Sequence, residues 1–477
     1  MTLTGLILIP LCLLLILAPW RWALMALPSI ALLHAASVLQ LGSFGLQPGL
    51  FFGLMIVGRT LVEVLLKPQA LNRHVLRLMT PMFLLLMLAV LTLWAALVMF
   101  QGEIYVIGGS DGFDLDRAAP YVFRRENITQ LAYLALHVAI LYAVAHQVAR
   151  RPEEERVDLL YKGMSIALVF ASVCCLWHWA SFRFGFIPWP TSFFQSNPMY
   201  RGMDQMLFGE LRVNGPFSEP SALAYFYAGF LYFAWFRFRQ QATSFGVMMI
   251  GLCLVALFLS RSTTGFLVMG VFGLLVAQTG LALFLRRRIA MPRLRLGGAA
   301  AALVLLAASF GGTVYVVQNL EAVQTVFEKM VLQKTESSSF EERSTVNLMA
   351  LDITVETGGI GIGLGSHKPS ALPLTLLSNV GVLGFLAFAL FAVDLLRPRT
   401  VTREDGSRSR DSELAPLRWH LLGLLMIHTF SNPNLSMVML WVSFAFLTGT
   451  IAAHRAAERR VVAEGVRMAL GPRAGYA

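Results

Sequence analysis

Long apolar runs punctuate the chain, and their number restricts the fold more than any other feature. Candidate spans fall at 3–19, 22–40, 48–66, 80–100, 128–148, 159–182, 218–236, 243–260, 264–285, 299–318, 372–395, 418–431 and 436–453. A helix needs about 20 mostly apolar residues to cross a bilayer, so the set predicts about twelve to fourteen membrane elements. The first two and the twelfth are short for a full crossing. In hydrocarbon every backbone polar group must be satisfied within the protein, which leaves helices and closed barrels. The short alternating segments of a barrel are missing. The predicted class is therefore all-α, a polytopic membrane protein. Composition agrees: 57% of the 477 residues are hydrophobic and 14% are charged, against about 25% charged in soluble domains. A water-soluble enzyme, a disordered chain and a fibrous one are all excluded.

The formal net charge is +11. In a soluble protein that balance would point to nucleic acid; in a membrane protein the excess of basic residues in cytoplasmic loops accounts for it, and no nucleic-acid partner is expected. The dense basic segments Lys67–Arg77, Arg150–Arg156, Arg237–Arg239, Arg286–Arg295 and Arg397–Arg418 all fall on one side if the spans alternate. That side is assigned to the cytoplasm, together with a tail at 454–477 that carries Arg459 and Arg460. The loops at 101–127, 183–217 and 319–371 then lie outside. The chain is thus organised as ten spans over 1–318, an outer loop at 319–371, further spans over 372–453, and the tail. The N-terminal run lacks a basic leader and continues into further spans, so it reads as a span. Cys12, Cys174, Cys175 and Cys253 all lie in apolar runs and read as small apolar residues.

The outer loop has its own pattern. Leu320, Val323, Phe327, Met330 and Val331 recur at helical spacing, predicting an amphipathic helix over 319–333. Ser339-Phe340-Glu341-Glu342 fits a capping box that starts a second helix running to about Thr357. A glycine run, Gly358–Gly365, follows. It lacks the preceding strand and the following Lys-Ser/Thr of a nucleotide loop. Its glycines are expected to let backbone pass close to a substrate or to another helix.

Charge near the spans is the first sign of chemistry, because a charge at the bilayer centre costs about 2.5–3.5 kcal/mol on insertion scales. Arg59 and Glu63 share one helix face and form either a structural pair or part of a substrate cavity. In Leu211–Ala222, Ser218 fits a helix N-cap, with Glu219 and Pro220 in the first turn. Arg212 has no part in that cap. A cation beside a helix N-terminus makes an anion site, so the segment is either a structural helix start alone or an anion site with Arg212. Arg261, in Ser260-Arg261-Ser262-Thr263-Thr264, is either a snorkelling arginine or a second phosphate fork. Arg343 sits either on a solvated helix face or at the same site. His367, followed by Lys368, is either incidental or a general base. Phe184, Phe186, Trp189, Phe193, Phe194 and Tyr200 form either an interfacial belt or a surface for sugar or lipid contact. No Asp/Glu/His cluster has metal-ligand spacing, and no cofactor is expected. Three arginines, Arg212, Arg261 and Arg343, thus meet on the outer face, which suits a lipid-linked phosphate.

At these residues the sequence resembles the O-antigen ligase / O-antigen polymerase superfamily of bacterial inner-membrane glycosyltransferases. The matching pieces are Arg212–Ser221, Ser260–Thr264, Glu342-Arg343 with Gly361–Ser366, and Leu376–Gly384, in that order, over about residues 120–450. The resemblance implies a GT-C-like helical fold with a large helical periplasmic loop. It also implies a polyprenyl-diphosphate-linked oligosaccharide donor and metal-independent, inverting transfer at the periplasmic face. Arg212, Arg261 and Arg343 would clamp the diphosphate, and Glu219 or His367 would be the base. Flippase and chain-length regulator proteins would be partners alongside the lipid bilayer. Ligases of the family carry a histidine-asparagine pair in the large loop. Here His367 precedes Lys368-Pro369 and a Ser-Ala-Leu-Pro stretch, closer to exopolysaccharide polymerases. Polymerisation of repeat units is therefore expected, with O-antigen ligation to lipid A-core as the alternative. A transporter built on Arg59/Glu63 and broken helices is a rival from another class.

Overall fold

The computed structural model describes residues 1–42, 44–68, 71–108, 118–185, 187–198, 205–207, 210–285, 338–402, 408–410, 414–431 and 434–470. The chain folds into helices α1 (Leu3–Leu17), α2 (Trp20–Ala31), α3 (Pro48–Leu66), α4 (Arg73–Leu78), α5 (Thr80–Met99), α6 (Arg125–Ala149), α7 (Glu153–Phe184) and α8 (Thr191–Phe194). They are followed by α9 (Pro220–Gln240), α10 (Ser244–Leu259), α11 (Thr263–Leu285), α12 (Ser338–Glu356), α13 (Leu372–Leu396), α14 (Ala415–Phe430) and α15 (Val438–Leu470). Every predicted span that falls on described residues contains a helix. The predicted span 299–318, the amphipathic helix 319–333 and the basic segment 286–295 lie outside the described residues.

Among the described residues, six helices are long and apolar enough to cross a membrane: α3, α5, α6, α7, α13 and the Val438–Ala463 part of α15. Three shorter apolar helices accompany them. The expected twelve to fourteen crossings are thus met in part. One reason is α9. Its segment Pro220–Ala234 is buried on nearly all sides and rich in aromatics, among them Tyr225, Tyr227 and Tyr232. A helix shielded by other helices needs no uniformly apolar surface. It lies against α14 and α10, while α15 packs on α6, α13 on α5, and α2 on α7. By contrast α5 turns Phe83, Met87, Leu91, Trp94 and Val98 outward, as a lipid-facing stripe does. All four cysteines are buried and free.

Among the described residues, four two-stranded antiparallel sheets interrupt the helical plan: β1 (Leu39–Leu41) with β2 (Phe44–Leu46), β3 (Tyr105–Val106) with β4 (Ala119–Pro120), β5 (Gln205–Leu207) with β6 (Glu210–Arg212), and β7 (Thr400–Thr402) with β8 (Arg408–Arg410). The second predicted span also ends early. The α2 helix stops at Ala31, and the apolar stretch beyond it is a buried loop whose Ala35 carbonyl accepts the Asn197 amide at 3.1 Å.

Contacts sort the loops into two ends, as the alternation of spans requires. At one end Thr2, Ser37, Ser196 and Asn197 interlock, and Val213 donates to the Leu259 carbonyl. At the other, Arg59, Glu63 and Arg150 meet. The Arg59/Glu63 pair is structural. Its nitrogen–oxygen distance is 3.6 Å, and Glu63 also accepts from Trp20 at 2.6 Å and Gln147 at 3.0 Å. Arg59 donates to the Ala18 carbonyl at 2.7 Å and lies over the Trp20 ring.

The glycine run lies against a break in α13. Gly381 has φ +74°, where an L side chain is strained, and a Cβ there would sit 2.2 Å from the Ile360 carbonyl oxygen. The break frees two carbonyls, and the run supplies their donors: Ile362 N–H to Ser378 O at 3.0 Å and Gly363 N–H to Asn379 O at 2.9 Å. Gly363 lies against Leu93 of α5, and Gly365 against the Glu126 carbonyl of α6. The glycines therefore serve close passage to helices.

Candidate functional site

The outer end carries the residues singled out in the sequence. Arg212 ends β6, directly across the ladder from Gln205, and its Nη1 donates to Gln205 Oε1 at 2.7 Å. Its Nε is buried with no hydrogen-bond partner. A buried donor left unmade costs about 1–3 kcal/mol. Burial pulls the guanidinium below its ordinary pKa. Glu219 opposes that shift and Arg343 adds to it. Arg212, Glu219 and Arg343 therefore share one electrostatic neighbourhood, although Arg343 is 131 residues away in sequence from Arg212.

The segment after Arg212 is held tightly. The Gly215 N–H donates to His178 Nδ1 at 3.3 Å, and a Cβ at Gly215 would lie 2.7 Å from Cys175 Sγ. The Phe217 carbonyl accepts from Gln195 at 3.0 Å. One expectation is corrected here. The N-cap of α9 is Glu219, not Ser218. Pro220 occupies the first helical position, and a residue preceding proline is forced to extended backbone, so the cap falls on Glu219. The Ser218 hydroxyl pairs instead with His34 Nε2 at 3.1 Å. Glu219 does not cap with its side chain. Its exposed carboxylate accepts the Ser221 hydroxyl and faces Arg212, Lys368 and His34 electrostatically.

Arg261 occupies the turn between α10 and α11. It is the non-glycine residue with positive φ, +44°, among the described residues. Its N–H reaches the Phe258 carbonyl at 3.1 Å, and the turn is pinned by Ser260 Oγ, which donates to Leu257 O at 2.6 Å and accepts from Ser262 N–H at 3.3 Å. Backbone held in a sparsely populated region is a recurrent mark of functional sites. The Val213–Leu259 hydrogen bond ties this turn to the strand that carries Arg212.

His367 takes a different part from the one expected of a base. It is buried, its Nε2 faces the Val346 carbonyl at 3.1 Å, and its Nδ1 accepts the Ile107 N–H at 3.4 Å. A carbonyl only accepts, so Nε2 carries the hydrogen and Nδ1 the occupied lone pair. Burial lowers its pKa to about 4. Both nitrogens are committed to backbone, and the ring has nothing left to offer a substrate. Asn379 completes the lock: its Oδ1 accepts from Ser366 and His367 N–H groups at 3.1 Å each, and its Nδ2 donates to the His367 carbonyl at 2.9 Å.

The consequence of that lock is Lys368. Its N–H donates to Ile107 O at 3.2 Å, and burial lowers its ammonium pKa against the opposing pull of Glu219. Sequence reasoning passed over Lys368 as a site residue. The usable signal was an outer-face lysine in a chain with only 5 lysines among its 38 basic residues. On α12, Arg343 precedes Asn347 by one turn, and Asn347 is fixed by Ser370 in both directions, at 2.8 and 2.9 Å.

The aromatic cluster packs on itself. Trp189 stacks on Phe194 with centroids 4.5 Å apart, and Trp177 meets Trp189 edge-on. Phe184 stays exposed, as a belt residue would, and Phe186 and Tyr200 lie outside the described residues. Among the described residues no group of three His, Cys, Asp or Glu side chains is placed to hold a metal ion. A scan against protein-family models finds no match, and no curated protein matches the chain.

Proposed function

We propose that this chain is a GT-C-like membrane glycosyltransferase of the bacterial inner membrane. It polymerises surface or exopolysaccharide repeat units from a polyprenyl-diphosphate-linked donor at the periplasmic face. The observation that supports this most is Arg212: a cation with a buried, unmet donor, beside a second guanidinium and one carboxylate. Guanidinium forks match phosphate oxygens, and groups fixed in advance stabilise charge as it develops.

In this reading an acceptor hydroxyl of a second lipid-linked unit attacks the anomeric carbon. The new carbon–oxygen bond forms as the bond to the lipid diphosphate breaks. Glu219 takes the hydroxyl proton, and Arg212, Arg343 and Arg261 hold the departing diphosphate. Diphosphate is a good leaving group, so a base matters more than an acid. Lys368 adds positive charge beside Glu219. His367 and Asn379 position Lys368 and do not touch substrate.

Reconstitution with a lipid-diphosphate oligosaccharide tests the proposal. Lengthening lipid-linked ladders are the expected result. Transfer to lipid A-core would replace polymerisation with ligation. Flux across proteoliposomes without turnover would overturn both and favour a transporter.

A further inference from the structure

A second concentration of positive charge lies at the opposite end of the molecule. The short helix α4 rests on α15 and α6. Between α4 and α15 is a cavity of about 570 Å³ lined by His74, Arg77, Arg455, Glu458, Arg459 and Val462. That volume is in the range of small-molecule sites, about 300–1,000 Å³. Three guanidiniums face one carboxylate, so the walls carry an excess of two positive charges. Cytoplasmic arginines need no function to explain their presence. Elsewhere at this end, however, arginines gather on acids: Asp394 binds Arg397 at 3.1 Å and Arg399 at 2.7 Å, and Asp158 binds Arg237. Around the cavity the balance is reversed. Arg455 leans toward Asp394 only at 3.7 Å.

We propose that this cavity binds a phosphate-bearing anion, independently of the transfer site. Two further observations fit it. Burial, then Arg459, Arg77 and Arg455, hold the His74 imidazole below its usual pKa, so it faces the cavity as a neutral ring able to donate a hydrogen bond. The rim is also apolar. Val462 is 55% exposed beside the arginines. Clustered cations with an apolar side chain beside them suit a lipid headgroup, and basic pockets between membrane helices on the cytoplasmic side bind such headgroups.

The test uses the full chain purified in detergent and native mass spectrometry with phosphatidylglycerol, phosphatidylethanolamine and inorganic phosphate as probes. Phosphatidylglycerol should be retained and phosphatidylethanolamine lost. Arg77→Gln combined with Arg459→Gln should weaken phosphatidylglycerol retention about tenfold or more. Arg460→Gln, next along the helix and outside the cavity lining, should leave it unchanged and serves as a control. A thermal transition like that of the unmodified protein shows the variants are folded; the single Arg459→Gln, at an exposed position, gives a second reading if the pair is not. Resistance to inorganic phosphate identifies a lipid as the ligand, and displacement by it identifies a free anion; either outcome supports the site. Equal retention of the two lipids, or equal loss in Arg460→Gln, overturns it.

Discussion

The ion-paired arginines and Arg212 are used in opposite ways. Around Glu63, Asp158 and Asp394, the arginines Arg59, Arg150, Arg237, Arg397 and Arg399 each meet a carboxylate, and Glu63 and Asp394 each serve more than one. At the outer end Arg212 pairs with a neutral amide and keeps a buried Nε unmet. A paired arginine has already spent its hydrogen-bonding capacity on the fold. An arginine held by Gln205 has its geometry fixed and its charge in reserve. The difference separates groups that hold the bundle together from groups that can take up an anion.

The strongest test of this contrast removes the carboxylate beside Arg212. Glu219→Gln keeps the shape of the α9 cap and should cut turnover by about 10²–10⁴-fold, the range of general base catalysis, with the thermal transition unchanged. Turnover near that of the unmodified protein would remove Glu219 from the chemistry. Arg212→Gln should cost about 10²–10³-fold in turnover, again without loss of stability. Glu63→Ala should do the reverse. It strands Arg59 and Arg150 and should cost about 1–3 kcal/mol of stability, seen as a lower thermal transition, while donor binding persists. If Glu63→Ala stopped turnover in a folded protein, the two ends would not be separable. A last test moves a proton. His367 has a folded pKa of about 4 against an ordinary 6.5. The unfolded chain therefore takes the proton first. Stability present above pH 6.5 falls as pH drops toward about 4 and levels off below it. Thermal transitions over that interval should show the slope, and His367→Gln should flatten it.

Much of the fold was legible because hydrocarbon leaves few options. The runs at 48–66 and 372–395 match α3 and α13 closely, whereas Ser339, read as the cap that starts α12, lies inside that helix. What failed was decided by tertiary contact. The α2 run reads on to residue 40, yet nearly half of it lies beyond the helix, because buried backbone there finds partners in Asn197 and Leu46. In the site, Arg212 and Glu219 could be read from a helix start that had a cation without a capping role. Ser218 was misjudged because the proline two residues later outweighs the hydroxyl's preference for a cap. Lys368 was hidden because its importance depends on Ile107 and Asn379, both distant in sequence.

The break in α13 bears on how the protein is made. The carbonyls of Ser378 and Asn379 receive donors from Ile362 and Gly363, which precede them in the chain. A helix of this kind cannot be finished by insertion alone; its outer turn stays incomplete until the glycine run has crossed and docked. Assembly of the outer end therefore concludes with a docking step, and Lys368 reaches its place only when that step is done.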